Sequence, residues 1–178
     1  MAKIIYKEGC EGQNKLSCIE GIEIGLLNGQ KALIFPKYSK EYLMQSNQID
    51  KWNAPNQTEI EALKVEDTNE KTGALAKIGS PAAEWVLHFW ADSNSVFCLP
   101  SLLAALEIQH QKEDIDALAE TIEGADLLRD FASGVWSCSR YLTTVGWVAI
   151  GNNGFAYGYG LNYAGLAVPT ILYRKEEI

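Results

Sequence analysis

The cysteines and histidines of this chain are the side chains that could form a zinc site, and a cysteine thiolate could also act as a nucleophile. The four cysteines are Cys10, Cys18, Cys98 and Cys138, and there are two histidines. No cysteine pair has the C-x-x-C spacing of a zinc site, so no metal ligands are predicted. The spacing predicts four reduced, mostly buried thiols. A Cys10–Cys18 or a Cys98–Cys138 disulfide is the alternative.

Residue types that could support catalysis are present without the partners that catalysis needs. Cys138 is close to Arg140, whose charge could favour a reactive thiolate, but burial as a structural thiol is the prediction. His88 has no partner in the sequence and is predicted to be structural. The glycine-rich segment Gly154–Gly160 lacks the lysine and the following helix of a phosphate-binding loop. No catalytic residue and no cofactor are therefore predicted.

Acidic residues outnumber basic ones, 23 to 15, which gives a net charge of −8. With no basic patch to offset that charge, nucleic acid is not expected as a partner. The acidic residues show no calcium-loop spacing and are predicted to be solvated charges: Glu113, Asp114, Asp116, Asp126 and Asp130. No segment approaches the ~18 apolar residues of a membrane span, and no apolar segment of a signal peptide follows Met1. Membrane insertion is therefore not expected.

The stretch 131–173 has a composition unlike the rest of the chain. Arg140 is the one charged residue among these 43 residues, whereas 21% of the whole chain is charged. The stretch contains no Lys, Asp, Glu, Gln or Met, and its Trp, Phe and Tyr residues alternate with Gly, Asn, Thr and Ala. Tyrosine offers a large contact area at a low entropic cost. The composition predicts a neutral, aromatic, β-rich surface that binds a partner.

The rest of the chain must supply the core behind this surface, and one domain over 1–178 is predicted. Alternating apolar residues around Asn28-Gly29 predict a β-hairpin over 22–35, after a short strand over 3–6. Capping residues and apolar periodicity predict helices over 58–64, over 67–78 and from Ser80-Pro81 onward. Two more are predicted, one over 102–110 with Ser101 as its cap and one from Asp114 to a terminator at Gly124. A short strand is predicted over 95–99.

Four further strands are predicted in the last quarter, over 134–141, 146–150, 155–161 and 166–173. Gly151–Gly154 is the expected hairpin turn between the second and the third. Side chains alternate along a strand, so Phe155, Tyr157 and Tyr159 are expected on one face and Ala156 and Gly158 on the other. The last strand is expected to close a sheet near the N-terminal hairpin.

Several segments, in their order and spacing, resemble the C-type-lectin-fold domain of variable proteins from diversity-generating retroelements. These segments are TNEKTGALAKIGSPAAEW (68–85), FCLPSLLAALEI (97–108), GVWSCSRY (134–141) and LAVPTILY (166–173). The resemblance covers about residues 20–173. It implies an α+β, C-type-lectin-like fold with small antiparallel sheets, two main helices and an N-terminal β-hairpin.

In that family a reverse transcriptase randomises template adenines, usually those of AAC codons. Such changes cannot produce Lys, Glu, Gln, Trp or Met, and the first three and Met are absent from 131–173. The resemblance implies a variable region at about 139–167, in which Trp147, Gly151, Gly154, Phe155, Leu161 and Leu166 are fixed. It also implies that the replaceable positions sit on one face and bind the ligand. These candidate positions are Tyr141, Leu142, Thr144, Val145, Gly146, Val148, Ile150, Asn152, Asn153, Ala156, Tyr157, Gly158, Tyr159, Gly160, Asn162, Tyr163, Ala164 and Gly165.

The function that the resemblance implies is the binding of a protein or cell-surface ligand, at a phage tail tip or on a bacterial surface. We also expect synthesis in a cytoplasm. A homo-oligomer is a further expectation, because several copies of a weak site increase the avidity. The Glu-Pro-Asn and Trp-Asn-Asp motifs of calcium-dependent sugar-binding lectins are absent. The alternatives are a structural virion subunit and an enzyme of the formylglycine-generating type with a reactive Cys138, although the paired-cysteine motif of those enzymes is absent.

Overall fold

The computed structural model describes residues 1–25, 31–39, 68–77, 79–88, 97–131, 134–142, 145–150, 155–160 and 165–172. Within them, small antiparallel sheets and four α-helices form an α+β fold. Their buried side chains form one hydrophobic core to which both sheets and all four helices contribute. No helix in these ranges has the length and apolar composition needed to cross a membrane.

The first sheet begins with three strands, β1 (Lys3–Tyr6), β2 (Ile19–Gly25) and β3 (Lys31–Ile34). Both pairs of neighbours are antiparallel. Ile22 pairs with Ile34 and Ile24 with Ala32, and all four side chains are fully buried. The predicted strand pairing of the hairpin is therefore confirmed, and its Asn28-Gly29 turn lies outside the described residues.

The helices are α1 (Thr68–Lys77), α2 (Pro81–His88), α3 (Leu102–His110) and α4 (Lys112–Ala119). Two predicted caps are present, since Ser80 Oγ accepts from the amide of Ala83 at 3.4 Å and Ser101 Oγ accepts from that of Ala104 at 3.1 Å. The resemblance implied two main helices, whereas the described residues contain four of 8 to 10 residues each.

Some predicted elements differ in extent from the observed ones or fall elsewhere. Helix α4 begins at Lys112 and ends at Ala119, earlier at both ends than expected, and Gly124 follows in the left-handed conformation (φ 83°). Within the predicted strand over 95–99, the described part contributes one antiparallel bridge, between Cys98 and Thr170. The predicted helix over 58–64 lies outside the described residues.

Asp116 is not the solvated charge that the sequence predicted. Its side chain on α4 is buried, and its two carboxylate oxygens accept hydrogen bonds from the backbone amides of Leu128 (2.6 Å) and Arg129 (2.9 Å). These amides belong to a single 3-10 turn, Leu128–Asp130. Asp116 therefore attaches this turn to α4. Glu113 and Asp114, by contrast, are exposed as predicted.

Asp126 is also bonded, in contrast to the prediction. Its carboxylate accepts from Lys37 Nζ at 2.9 Å and from the amide of Tyr38 at 3.1 Å. Tyr38 is buried, and its ring meets that of Phe131 edge to face at a centroid distance of 5.9 Å. Burial, followed by the charges of Asp116 and Asp126, raises the pKa of Tyr38, so its hydroxyl stays neutral. Asp116 and Asp126 are thus structural carboxylates.

The second sheet contains β4 (Val135–Leu142), β5 (Val145–Ile150) and β6 (Phe155–Gly160), in that order and antiparallel. These strands confirm three of the four predicted in the last quarter. The Gly151–Gly154 turn lies outside the described residues. Helix α3 packs against all three strands, so the sheet rests on a helix whose residues are nearly all buried.

The last described segment, 165–172, joins the two sheets. Near its start, Trp136 donates its amide hydrogen to the carbonyl of Leu166 (3.0 Å), and Leu166 donates to the carbonyl of Gly134 (2.9 Å). Its end forms β7 (Thr170–Leu172), which pairs with β3, so the last strand closes a sheet beside the N-terminal hairpin as predicted. The predicted continuous strand over 166–173 is divided because Pro169 has no amide hydrogen to donate to a ladder.

Candidate functional site

The candidate binding region begins in a strand that is buried on both faces. The side chains of β4 from Val135 to Ser139 are all buried. Val135 and Trp136 are neighbours, so they belong to opposite faces, and both are 0% exposed. Trp136 is therefore part of the core.

The register of the second sheet assigns the strand positions to two faces. Residues that pair directly share a face, and Trp136 pairs with Val148, which pairs with Tyr157. Two residues away on each strand, Gly146 pairs with Tyr159 and Ile150 with Phe155. We call this set the tyrosine face: Gly146, Val148, Ile150, Phe155, Tyr157 and Tyr159. The opposite face carries Val145, Trp147, Ala149, Ala156, Gly158 and Gly160.

The expectation that all candidate positions share one face is therefore wrong for the strands. Val145, Ala156, Gly158 and Gly160 alternate with the tyrosine face and cannot lie on it. Ala156 in particular pairs with Ala149. The sequence predicted correctly that successive residues of a strand belong to opposite faces. Which residues of neighbouring strands share a face depends on how the strands pair.

Gly165 is packed against the indole ring of Trp136. A Cβ atom built on Gly165 would lie 2.4 Å from Nε1 and 2.5 Å from Cδ1 of that ring, well inside van der Waals contact. Any other residue at 165 must displace the ring, so the structure argues against Gly165 as a freely replaceable position. Nothing in the local sequence distinguishes this glycine from the others, because the contact depends on a residue 29 positions earlier.

Side chains are described up to Ser139 and again from Gly165. Tyr141 and Leu142 have their backbone in β4, and Leu142 pairs with Val145. The exposure predicted for the candidate side chains between 141 and 164 stays a prediction. The candidate positions that lie outside the described residues altogether are Thr144, Asn152, Asn153, Asn162, Tyr163 and Ala164, as are the expected frame residues Gly151, Gly154 and Leu161.

None of the four cysteines forms a disulfide, as predicted, and three of them are buried. Cys138 is 1% exposed, so a substrate could not reach its sulfur without a rearrangement of the sheet. The Cys98 thiol donates to the carbonyl of Thr170 at 3.0 Å. Within the ranges that the structure describes, no three His, Cys, Asp or Glu side chains group as metal ligands.

The described part of the candidate site combines a buried strand, a face to which two tyrosines belong, and a return of the chain that packs on Trp136. Comparisons with models of known protein families, with curated protein sequences and with solved structures found no match to this chain.

Proposed function

We propose that this protein binds a protein or cell-surface ligand through a hypervariable site that a retroelement diversifies. The domain that carries this site would be of the C-type-lectin type, at a phage tail tip or on a bacterial surface. The observation that carries the proposal is the composition of 131–173, which has one charge and lacks Lys, Glu, Gln and Met. Randomisation at adenines of AAC codons cannot produce any of these four absent residue types.

The way in which the segment is anchored supports the proposal. Residues 134–136 and 165–166 lie side by side in a parallel bridge between Val135 and Leu166, which we call the neck. Two backbone hydrogen bonds join its sides, and Val135, Trp136 and Leu166 are at most 1% exposed. The chain leaves the neck, forms the rest of β4, β5 and β6, and returns to it. The ends of the candidate variable region are therefore held by backbone bonds and core packing, which do not depend on the side chains between them.

The neck also determines which face of the second sheet the returning chain approaches. Gly165 contacts the indole ring of Trp136, and Trp136 belongs to the tyrosine face. The returning chain thus reaches the neck on the side of Gly146, Val148, Tyr157 and Tyr159. We infer that the tyrosine face, together with the connections between its strands and the neck, forms the binding site. Tyrosines and small residues suit such a site because they adapt to many partners, and a homo-oligomer would increase the avidity.

A pair of libraries tests whether this face is replaceable. The first library randomises Gly146, Val148, Ile150, Tyr157 and Tyr159 with codons that keep C in the third position. The matched library applies the same codons to five buried residues: Ala104, Ala105, Ile108, Val135 and Leu166. We expect most members of the first to unfold cooperatively within about 5 °C of the parent, since exposed substitutions change the free energy of unfolding by less than about 1 kcal/mol.

Most members of the matched library should fail to fold, because each replaces core side chains. Thermal unfolding followed by circular dichroism measures both outcomes. If the same fraction of members fails to fold in both libraries, the tyrosine face belongs to the core and the proposed site is wrong.

A further inference from the structure

The loop between β1 and β2 folds back so that Cys10 meets Cys18. The amide of Lys7 donates to the carbonyl of Cys18 at 3.0 Å, which closes the loop. The amide of Cys10 donates to the carbonyl of Lys7, and that of Gln13 to the carbonyl of Cys10, both at 3.0 Å. Gly9 and Gly12 supply the left-handed turns (φ 77° each). Cys10 is thereby held next to the start of β2, because Cys18 also bonds to Gln13: its thiol donates to Gln13 Oε1 at 3.5 Å.

We propose that Cys10 and Cys18 form a reversible disulfide that locks this loop. Both cysteines are hydrogen-bonded to Lys7 and to Gln13, Cys18 is buried in the 3-10 turn Leu16–Cys18 that ends the loop, and Cys10 is partly exposed to solvent. Cys10 therefore offers the entry point for an oxidant, and Cys18 lies ready as the resolving thiol. Cys98 and Cys138 lack this exposure, since each is 1% exposed.

Thiol–disulfide exchange with a low-molecular-weight disulfide supplies the oxidising equivalents. The Cys10 thiol loses its proton to solvent, and its sulfur attacks the external disulfide, which releases one small thiolate and leaves a mixed disulfide on Cys10. The Cys18 sulfur, after it loses its own proton, attacks Cys10 Sγ and releases the second small thiolate. The small thiolates take up the two protons. Two protein thiols are oxidised, and one external disulfide is reduced to two thiols.

The locked loop connects the first sheet to the end of α4. The amide of Glu123 donates to the carbonyl of Asn14 (2.8 Å), and that of Leu16 to the carbonyl of Glu123 (3.3 Å). Asn14 Nδ2 also donates to Thr121 Oγ1 at 3.2 Å. A crosslink across the loop would preserve this docking and restrict the unfolded chain. For a chain of this size, we expect the midpoint of thermal unfolding to rise by about 5 to 10 °C.

The local charges determine the conditions for the experiment. The hydrogen bond with Cys18 and burial raise the pKa of Cys10, Glu11 raises it further, and Lys15 opposes these effects. Because the thiolate is the attacking species, oxidation is carried out under mildly alkaline conditions, where more of it is present.

The full chain is incubated with glutathione disulfide, its remaining thiols are alkylated, and it is digested with trypsin without reduction. Lys7, Lys15 and Lys31 allow trypsin to separate the two cysteines into peptides 8–15 and 16–31, so a bridge appears as one linked pair of peptides. We expect this linked pair, the higher unfolding midpoint, and reversal of both by dithiothreitol. Cys10→Ser and Cys18→Ser should abolish both signals, whereas the matched control Cys98→Ser should keep them.

Three results would overturn the proposal. One is the recovery of both peptides fully alkylated after oxidation. Another is the accumulation of a glutathione adduct on Cys10 with no linked pair. The third is a bridged protein that unfolds at or below the temperature of the reduced protein.

Discussion

Gly165→Val is expected to lower the free energy of unfolding by about 3 kcal/mol, the upper range for overpacking a core. The Cβ of any residue at 165 falls 2.4 Å from Trp136 Nε1, and the indole ring is fully buried in the core. The ring must therefore move, and its movement disturbs the neck that holds the candidate variable region. Urea unfolding measures the effect as a lower midpoint at an unchanged slope.

Gly73→Ala is the matched control for Gly165→Val. Gly73 lies inside α1, and a Cβ there meets nothing within 4 Å. Alanine should therefore stabilise the protein by ~0.5–1 kcal/mol, the usual gain over glycine in a helix. In a Trp136→Leu background, Gly165→Val should cost less than it does in the parent, because the clashing ring is gone. An unchanged cost in both backgrounds would show that the Trp136 contact does not restrict position 165.

Asp116→Ala is expected to cost about 3 kcal/mol. The buried carboxylate accepts hydrogen bonds from two backbone amides, those of Leu128 and Arg129. Without it, both amides lose their acceptor, and each unsatisfied buried donor costs ~1–3 kcal/mol. The 3-10 turn Leu128–Asp130 would also lose its attachment to α4. Chemical denaturation with circular dichroism detection gives the change in the free energy of unfolding.

Asp114→Ala, two residues earlier on the same helix, removes the same chemical group from an exposed position. Its loss should cost less than about 1 kcal/mol, mainly through the weaker interaction of a carboxylate with the helix N-terminus. Equal effects of the two substitutions would mean that Asp116 is solvated, as the sequence alone predicted.

The elements with local signals could be predicted from the sequence. The capping residues Ser80 and Ser101 predicted the starts of α2 and α3, because a serine hydroxyl before a helix accepts a hydrogen bond from the amide three residues later. The antiparallel pairing of β2 with β3 followed from the alternation on both sides of Asn28-Gly29, although a two-residue turn there would pair Ile22 with Phe35 instead of Ile34. In both cases the partners lie within a few residues of each other or across one turn.

What the sequence could not provide depends on partners that are distant along the chain. Asp116 bonds to amides 12 and 13 residues further on, and Gly165 packs on a tryptophan that no local pattern connects to it. The same holds for the two faces of the second sheet. The alternation along β6 assigns Tyr157 and Ala156 to opposite faces. Only the pairing of Val148 with Tyr157 shows which residues of β5 share a face with Tyr157.

Diversification by a retroelement is the central claim, and the sequence of the genomic DNA around the gene tests it most directly. The claim predicts a near-repeat of the codons for 139–167 beside a reverse transcriptase gene, with the differences confined to adenines of the repeat. The codons for Trp147 and Gly165 should be the same in both copies, because an AAC codon cannot be changed to a Trp codon at its adenines and any side chain at position 165 would clash with Trp136. An intact locus that contains no such repeat would contradict the claim.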